Sequence, residues 1–543
     1  MKRRIVLLLA CVMLVAAVVS GCGGDGSTGN TGSDQTLTLT ETAEPADLNP
    51  LTAQDVWSNE LIGATMEGLV RTKENGVIEQ GSGLAESWTV SDDGLVYTFK
   101  LRDAKWSDGS AITANDFVYA WTKAVDPETA SPYAYLHYPI VGAEEFNTGE
   151  GSAEDLGIKA VDEKTFEVTL KTPTEYFTDM LILSVFYPLK EGILEEMGDT
   201  YASEPDKMIY SGPFKITSWA HDQEVVVEKN PDYWDAEAVK LDKIVFKITK
   251  ETNTIVNMYE NGDIDMMEVM PEFLDNYKDD AGFQSITELV TEYLHFNLQN
   301  EFFANVNIRK AFGMAINREE YVNDLLKNGC TPAYGFIPPA MNGVGGKSFR
   351  ENNGDLFTDA GKDGGEEAKA LFEQGLQELG KTREDMTGLS LVIGEGDINL
   401  KTAQVFQEAW KNVLGVDVEV KSLKFALRMT EYEADFTLGK EGWGADFNDP
   451  QSFLDLFTSN SEYNYGKWSN EEYDALLKKA SSTTGDERKQ ALQDAEKILI
   501  QQDAVMYPTF FQSRNFVHKD YVKGHVRNGF GLYSEYKWTY IEK

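Results

Sequence analysis

Hydrophobic and polar positions along the chain fall into two recurring rhythms. Val96-Tyr97-Thr98-Phe99-Lys100-Leu101 and Thr165-Phe166-Glu167-Val168-Thr169-Leu170 alternate apolar with polar residues, which predicts half-buried strands. Val416, Val418 and Val420 alternate with Asp417 and Glu419 in the same way. Just before them Ala403, Phe406, Ala409, Trp410, Val413 and Leu414 recur at helical spacing, so a helix feeds that strand. Ser469 with Glu472, and Thr484 with Glu487, form capping boxes. The apolar stripes behind them (Tyr473, Leu476, Leu477, Ala480; then Ala491, Leu492, Ala495, Ile498, Leu499) have the width of a core face. The Gly- and Asn-rich stretch from Asn342 to Gly365 predicts a long surface loop. Strand and helix patterns interleave without a fixed-period repeat or a low-complexity linker, which gives a mixed α/β chain.

One apolar run does not belong to the fold. Lys2, Arg3 and Arg4 precede Ile5 to Val19, a run too short to span a bilayer comfortably, so residues 1–21 are expected to be a signal peptide. The run ends in Val19-Ser20-Gly21-Cys22, small residues directly before a cysteine. That pattern resembles the lipobox of bacterial lipoproteins and makes Cys22 the expected lipid anchor, followed by a Gly/Ser/Thr/Asp tether over 22–35. Cys11, after Leu8-Leu9-Ala10, leaves with the signal, because cleavage there would spare almost no apolar region. No later segment is apolar for long enough to cross a membrane, so the expected product is a tethered globular protein on the outer face of a bacterial cytoplasmic membrane.

Composition narrows what such a protein does. About five hundred residues after the tether exceed what one core usually serves, so two or three domains are expected. With Cys11 removed and Cys22 lipidated, only Cys330 remains of three cysteines, and no intramolecular disulfide can form. The formal charge of -41 argues against nucleic acid or an anionic membrane surface as partner. Catalytic patterns are missing: there is no Gly-x-Ser-x-Gly, His-Glu-x-x-His or Cys-x-x-Cys, and His137, His221, His295, His518 and His525 are scattered without metal-ligand spacing. Gly343-Val344-Gly345-Gly346-Lys347-Ser348 has Met341 where a phosphate loop needs glycine, and pairs such as Asp263 with Asp265 are expected by chance in so acidic a chain. The residues therefore point to no enzyme, no cofactor and no metal.

Aromatic residues make up 11% of the chain, and several sit beside Gly, Asp and Pro outside the regular patterns. Ala130-Ser131-Pro132-Tyr133-Ala134-Tyr135, Asn230-Pro231-Asp232-Tyr233-Trp234 and Gly442-Trp443-Gly444-Ala445-Asp446-Phe447-Asn448-Asp449-Pro450 are the segments of this kind. Such loops build binding clefts. In the last, glycines on both sides of Trp443 let a ligand approach the backbone, and a carboxylate among aromatics suits a buried ammonium. The same residues also describe a tight turn with an aromatic plug.

The order of motifs over nearly the whole mature chain resembles the oligopeptide-binding proteins of peptide ABC transporters, extracellular solute-binding proteins of family 5. The resemblance runs through Leu48-Asn49-Pro50, Gly83-Leu84-Ala85-Glu86-Ser87-Trp88, Leu101 to Gly109, Asp116 to Trp121, Val125-Asp126-Pro127, Ser131-Pro132-Tyr133, Asn230 to Trp234, Val306 to Ala311 and Gly442 to Pro450. It implies an α/β, two-lobed periplasmic-binding-protein-like fold of class II with an additional inserted subdomain. Lobe I would take 36–66, 193–295 and 515–543, the inserted subdomain 67–192, and lobe II 296–514. It further implies that short peptides bind in an enclosed interlobe cleft, extended and paired main chain to main chain. Asp446 would hold the peptide ammonium, with Trp443 beside it. Gly442, Gly444, Val56 and Tyr133 would supply the strand-like contacts, with Tyr293 also on the cleft. Lys440 stands where a relative uses an arginine for the peptide C-terminus, and a lysine lacks the bidentate fork. His295 and Gln54 stand where that relative has acids.

The implied partners are short peptides and the permease and ATPase subunits of an ABC importer, with the protein a monomer that touches the membrane only through its anchor. A receptor for one signalling peptide, dipeptide or metal chelate is the alternative within the class. A surface hydrolase, the alternative outside it, would need a nucleophile, metal or raised-pKa acid.

Overall fold

The computed structural model describes residues 35–73, 77–341, 343–434 and 436–543. The expected signal peptide, Cys11, Cys22 and the tether up to Asp34 lie outside the described residues. Within them no helix is long and apolar enough to cross a membrane.

Three larger sheets organise the chain. In the first, β1 (Thr36–Glu41) pairs in parallel with β8 (Lys243–Ile248), which continues through β7 (Glu224–Lys229) to β6 (Phe214–Ala220). Leu37, Leu39, Val225, Val227, Ile244 and Phe246 are its buried alternate positions. The second is antiparallel, in the order β2 (Ala85–Val90), β3 (Val96–Leu101), β5 (Thr165–Thr169), β4 (Ile158–Asp162). Both strands that the alternation predicts in this region form, burying Tyr97, Phe99 and Leu101 against Phe166 and Val168. The helix Ala114–Val125, closed at its start by a Thr113/Asp116 capping box, lays Phe117 and Trp121 on Phe166 at 5.5 and 4.9 Å. These two sheets share one core.

The third sheet runs in the order β11 (Thr331–Pro332), β15 (Met506–His518), β10 (Phe283–Phe296), β14 (Leu438–Gly444), β12 (Ser390–Gly394), β13 (Glu419–Leu423). The helix Asp397–Leu414 links parallel strands β12 and β13, the expected helix-to-strand unit. Its strand begins at Glu419, later than the valine pattern suggests, because Val416 and Val418 are buried in the connection that precedes it. Leu294 and Leu438 face one core, Tyr293 and Met506 another. β10 and β15 are long and pair from Phe283↔Val517 to His295↔Met506, with register shifts between Thr287 and Thr291 and again between Glu292 and Tyr293. One end of the pair borders β9 (Met266–Glu268), the other β14. The expected lobe boundaries at 295/296 and 514/515 thus fall inside two continuous strands.

Three local expectations change, the first being that Thr484 stands at the N-cap of the helix Gly485–Lys497 but its side chain makes no capping hydrogen bond. The helix Glu471–Ala480 is capped by Asn470, whose side-chain oxygen accepts from the Glu472 and Tyr473 N–H groups, while Ser469 bonds Ser459 instead. An amide oxygen caps as well as a hydroxyl, so the helix starts one residue later. The stretch 342–365 is not a plain surface loop: helices Phe349–Asn353 and Ala360–Asp363 form there. Phe349 and Leu356 are buried, and Asp359 pairs with the buried Arg318.

Candidate functional site

β14 pairs along its length with β10, from Phe296↔Leu438 to Val290↔Gly444. Its other edge pairs with β12 only at Leu438 and Gly439. Past Lys440, whose carbonyl accepts from the Tyr432 hydroxyl at 3.3 Å, that edge has no strand partner among the described residues as far as Gly444, so main-chain groups there are left for something else to pair with. A Cβ at Gly442 would come within 2.4 Å of Glu292 Oε1, so a side chain there would have to displace the Glu292 carboxylate.

Beyond the strand the chain is held from behind. The Ala445 N–H donates to the Leu289 carbonyl at 2.9 Å and the Asp446 N–H to Ser452 Oγ at 2.8 Å. Asp449 takes a bidentate pair of bonds from the buried Arg488 at 2.7 and 2.8 Å. Phe447 stacks on Tyr176 of the 67–192 segment at 4.3 Å, with planes 9° apart. The turn is therefore both plug and presenter. Its aromatic closes against the facing wall, while Asp446 is left with a carboxylate that no Lys, Arg or His pairs with among the described residues. Burial pushes that carboxyl up to about 6, with the nearby Tyr135 hydroxyl pulling the other way.

A cavity of about 210 Å³ opens beside Asp446, with Gln54, Val56, Tyr133, Tyr135 and Phe530 on its walls. Val56 is 46% exposed at the start of the helix Val56–Thr65, capped by Asp55, and Tyr133 is half-buried next to Tyr135. Ser131 anchors their loop by donating to the Leu51 carbonyl. Three segments distant in sequence thus converge on one carboxylate. The remaining walls are mainly apolar, including Leu136, Ile182 and Leu532.

The structure brings together some expected site residues and not others. Val56, Tyr133 and Asp446 share the cavity, and Gly442, Trp443 and Gly444 lie on the free end of β14 that leads to it. Trp443 is half-buried against Tyr463 at 5.1 Å. Lys440, Tyr293 and His295 do not line the cavity. Lys440 is buried and bonded to Glu292 at 2.5 Å; burial works against its charge, but Glu292 outweighs it and holds the ammonium above its usual range. Tyr293 packs between Phe336 and Phe457 at 5.4 and 6.2 Å. The His295 ring lies between Tyr432 and Phe436 at 4.6 and 4.8 Å, and burial pulls it down to about 3, so it is neutral. Nor does Asn230-Pro231-Asp232-Tyr233-Trp234 line this cavity. Tyr233 donates to the buried Glu67 at 2.9 Å, and the Arg102 guanidinium sits 3.5 Å over Trp234, joining the first two sheets.

Sequence reasoning missed the contribution of 527–533. Its Asn528-Gly529-Phe530-Gly531 carries the same glycine-flanked aromatic as Gly442-Trp443-Gly444, a signal that could have singled it out. Among the described residues no group of three or more His, Cys, Asp or Glu side chains is arranged to hold a metal.

Residues 79–465 match the family model of bacterial extracellular solute-binding proteins, family 5 (middle region). The chain belongs to that family. Among related proteins, the oligopeptide-binding protein OppA of Bacillus subtilis (strain 168) is 35% identical over 544 residues, covering 98% of both chains. The dipeptide-binding protein DppE of the same organism is 32% identical over 522 residues, covering 96% of this chain and 94% of that one. Among solved structures, Listeria monocytogenes OppA bound to peptide superposes with a TM-score of 0.73 at 32% identity, covering 94% of this chain and all of that one. The unliganded open form of the periplasmic murein tripeptide-binding protein MppA gives 0.80 at 27%, covering 94% and 98%. This family 5 protein accordingly has the two-lobed α/β fold, and its Asp446 cavity lies where five separate chain segments meet.

Proposed function

We propose that this protein is an extracytoplasmic receptor that binds short peptides between its lobes and hands them to an ABC importer, tethered to the membrane through a lipid on Cys22. The observation that carries the reading is Asp446: a carboxylate held by its backbone, largely removed from water, without a cationic partner, at the end of a strand with an unpaired edge. A peptide supplies both missing pieces. Its backbone adds a strand along Glu441–Gly444, and its α-ammonium neutralises Asp446. Recognition through the backbone and the terminus is shared by all peptides, so side-chain identity matters less than a free amino end. The related proteins support this reading, since those named above bind oligopeptides, dipeptides or a murein tripeptide.

The lobes would move about the two long strands β10 and β15, where the ladder loses register between Thr287 and Thr291. Hydrolysis is not part of this reading; the serine on the cavity wall, Ser184, donates its hydroxyl to Asn59 Oδ1 rather than to a general base. Calorimetry with trialanine and its N-acetyl derivative tests the proposal. Acetylation should reduce affinity by tenfold to hundredfold or more, and equal binding of the two would refute the assignment of Asp446.

A further inference from the structure

The residue after Asp446 is clasped by a distant part of the chain. The Phe447 ring stacks on Tyr176, centres 4.3 Å apart and planes 9° from parallel. Tyr176 is itself firmly set. It precedes the short helix Phe177–Met180, whose Asp179 and Met180 N–H groups donate to the Tyr176 carbonyl at 3.0 and 3.2 Å. Phe177 is fully buried and meets Tyr97 of β3 edge-on at 4.9 Å, so the Tyr176 ring is presented from the core beneath the second sheet.

Two more groups close on the same spot. The Arg488 guanidinium lies 5.5 Å from the Tyr176 ring centre, within reach of a cation–π attraction. It is aimed there by its two bonds to Asp449 and a third to Gln451 Oε1 at 3.1 Å. Gly485, which opens the helix that carries Arg488, donates its N–H to the Glu175 carboxylate. Phe447, Arg488 and Gly485 thus grip the adjacent residues Glu175 and Tyr176.

The consequence falls on Asp446. Its N–H bond to Ser452 Oγ fixes the acid from behind but does not set how near the facing wall stands. That wall comes from the segment that carries Tyr176: Tyr133, Tyr135, and Ile182 and Leu183 just past the Phe177–Met180 helix, all line the Asp446 cavity, whereas Tyr176 does not. Close-packed rings transmit displacement, so the stack fixes the gap between carboxylate and wall.

We infer that Tyr176 is a positioning residue for the ammonium site: through Phe447 it holds the Tyr133–Tyr135 wall against Asp446 and keeps water from the carboxylate. This rests on the proposed role of Asp446 and adds a residue outside the cavity that tunes it. With the clasp loosened, water reaches the acid, its carboxyl falls back toward the ordinary aspartate range, and its attraction for an ammonium weakens.

The test is calorimetry of the purified protein with trialanine and N-acetyl-trialanine between pH 4 and 7.5, on the wild type and on Tyr176→Phe, Tyr176→Leu and Tyr176→Ala. The wild type should prefer the free amino end and lose affinity below about pH 6. Tyr176→Leu and Tyr176→Ala should cut that preference about threefold to tenfold. They should also move the loss of affinity toward about pH 4. Tyr176→Phe keeps the stacked ring and should match the wild type. A folded Tyr176→Ala protein that retains both the preference and the pH profile overturns the inference, as does a Tyr176→Phe protein that loses them. Should Tyr176→Ala fail to fold, judged by thermal melting, Tyr176→Leu decides in the same way. Equal binding of the two peptides by the wild type removes the Asp446 reading and this inference with it. A wild-type preference that Tyr176→Leu retains in full removes the inference alone.

Discussion

Tyr135 comes from a loop far away in sequence to line the same cavity as Asp446, and its hydroxyl favours the ionised carboxylate. It is too weak a counterweight to burial: the carboxyl remains pushed up to about 6. A folded-state value above the unfolded one means that the group's stabilising contribution is present below about pH 4 and lost as pH rises through about 6. The ligand-free protein therefore carries a strained charge at neutral pH. Asp446→Asn should be more stable than wild type at pH 7.5, by about 1 to 3 kcal/mol, and no more stable at pH 4, as read by urea denaturation. The same variant should lose peptide affinity by about 2 to 5 kcal/mol in calorimetry.

Peptide binding to the ionised acid sets its own pH profile. Affinity for a peptide with a free amino end should be highest near pH 7, fall below about pH 6 by at most tenfold per pH unit as Asp446 takes up a proton, and fall again above about pH 8 as the peptide's α-ammonium loses one. Titration calorimetry across this range checks the slope. A profile set by His295 is not expected, since burial holds that ring near 3 and neutral throughout.

Lys440 and Glu292 form a largely buried pair on the face of β14 opposite Trp443. Removing one partner strands the other, so Lys440→Met should destabilise the fold by about 3 to 5 kcal/mol, and Lys440→Met with Glu292→Leu should recover most of that. Chemical denaturation of the two variants measures it. An unchanged stability in the single variant, with a lost peptide affinity, would return Lys440 to the ligand.

Gly439 is a packing requirement rather than a ligand contact. A Cβ there would stand 2.1 Å from His295 Nε2 and 2.6 Å from Tyr432 Cε1. Gly439→Ala should cost about 1 to 3 kcal/mol by overpacking, visible as a lowered melting temperature.

In the proposed reading, Cys22 is the lipid-bearing residue. Cys22→Ser should abolish incorporation of labelled fatty acid and shift the protein from the membrane fraction to the soluble fraction. Retention on the membrane in the variant would show a different anchor.

What was legible in the sequence was what depends on local pattern. β3, β5 and the helix Asp397–Leu414 follow from period alone, because each has one buried face. Asp446 stands among glycines and aromatics, but those residues equally describe a tight turn with an aromatic plug, and the role proposed for it comes from the family resemblance. The roles of Lys440 and His295 were not, because their positions along a strand do not say which neighbour, Glu292 or the Tyr432/Phe436 pair, claims the side chain. Tyr233 and Trp234 look like cleft aromatics until Glu67 and Arg102 are seen to hold them.

The most direct test of the central claim is native mass spectrometry of the gently purified mature protein. The account predicts bound masses that dissociate as short peptides with free amino termini, and that are absent from Asp446→Asn prepared in parallel. Wild type carrying only non-peptide species or blocked peptides, or a variant carrying the same peptides as wild type, would contradict it.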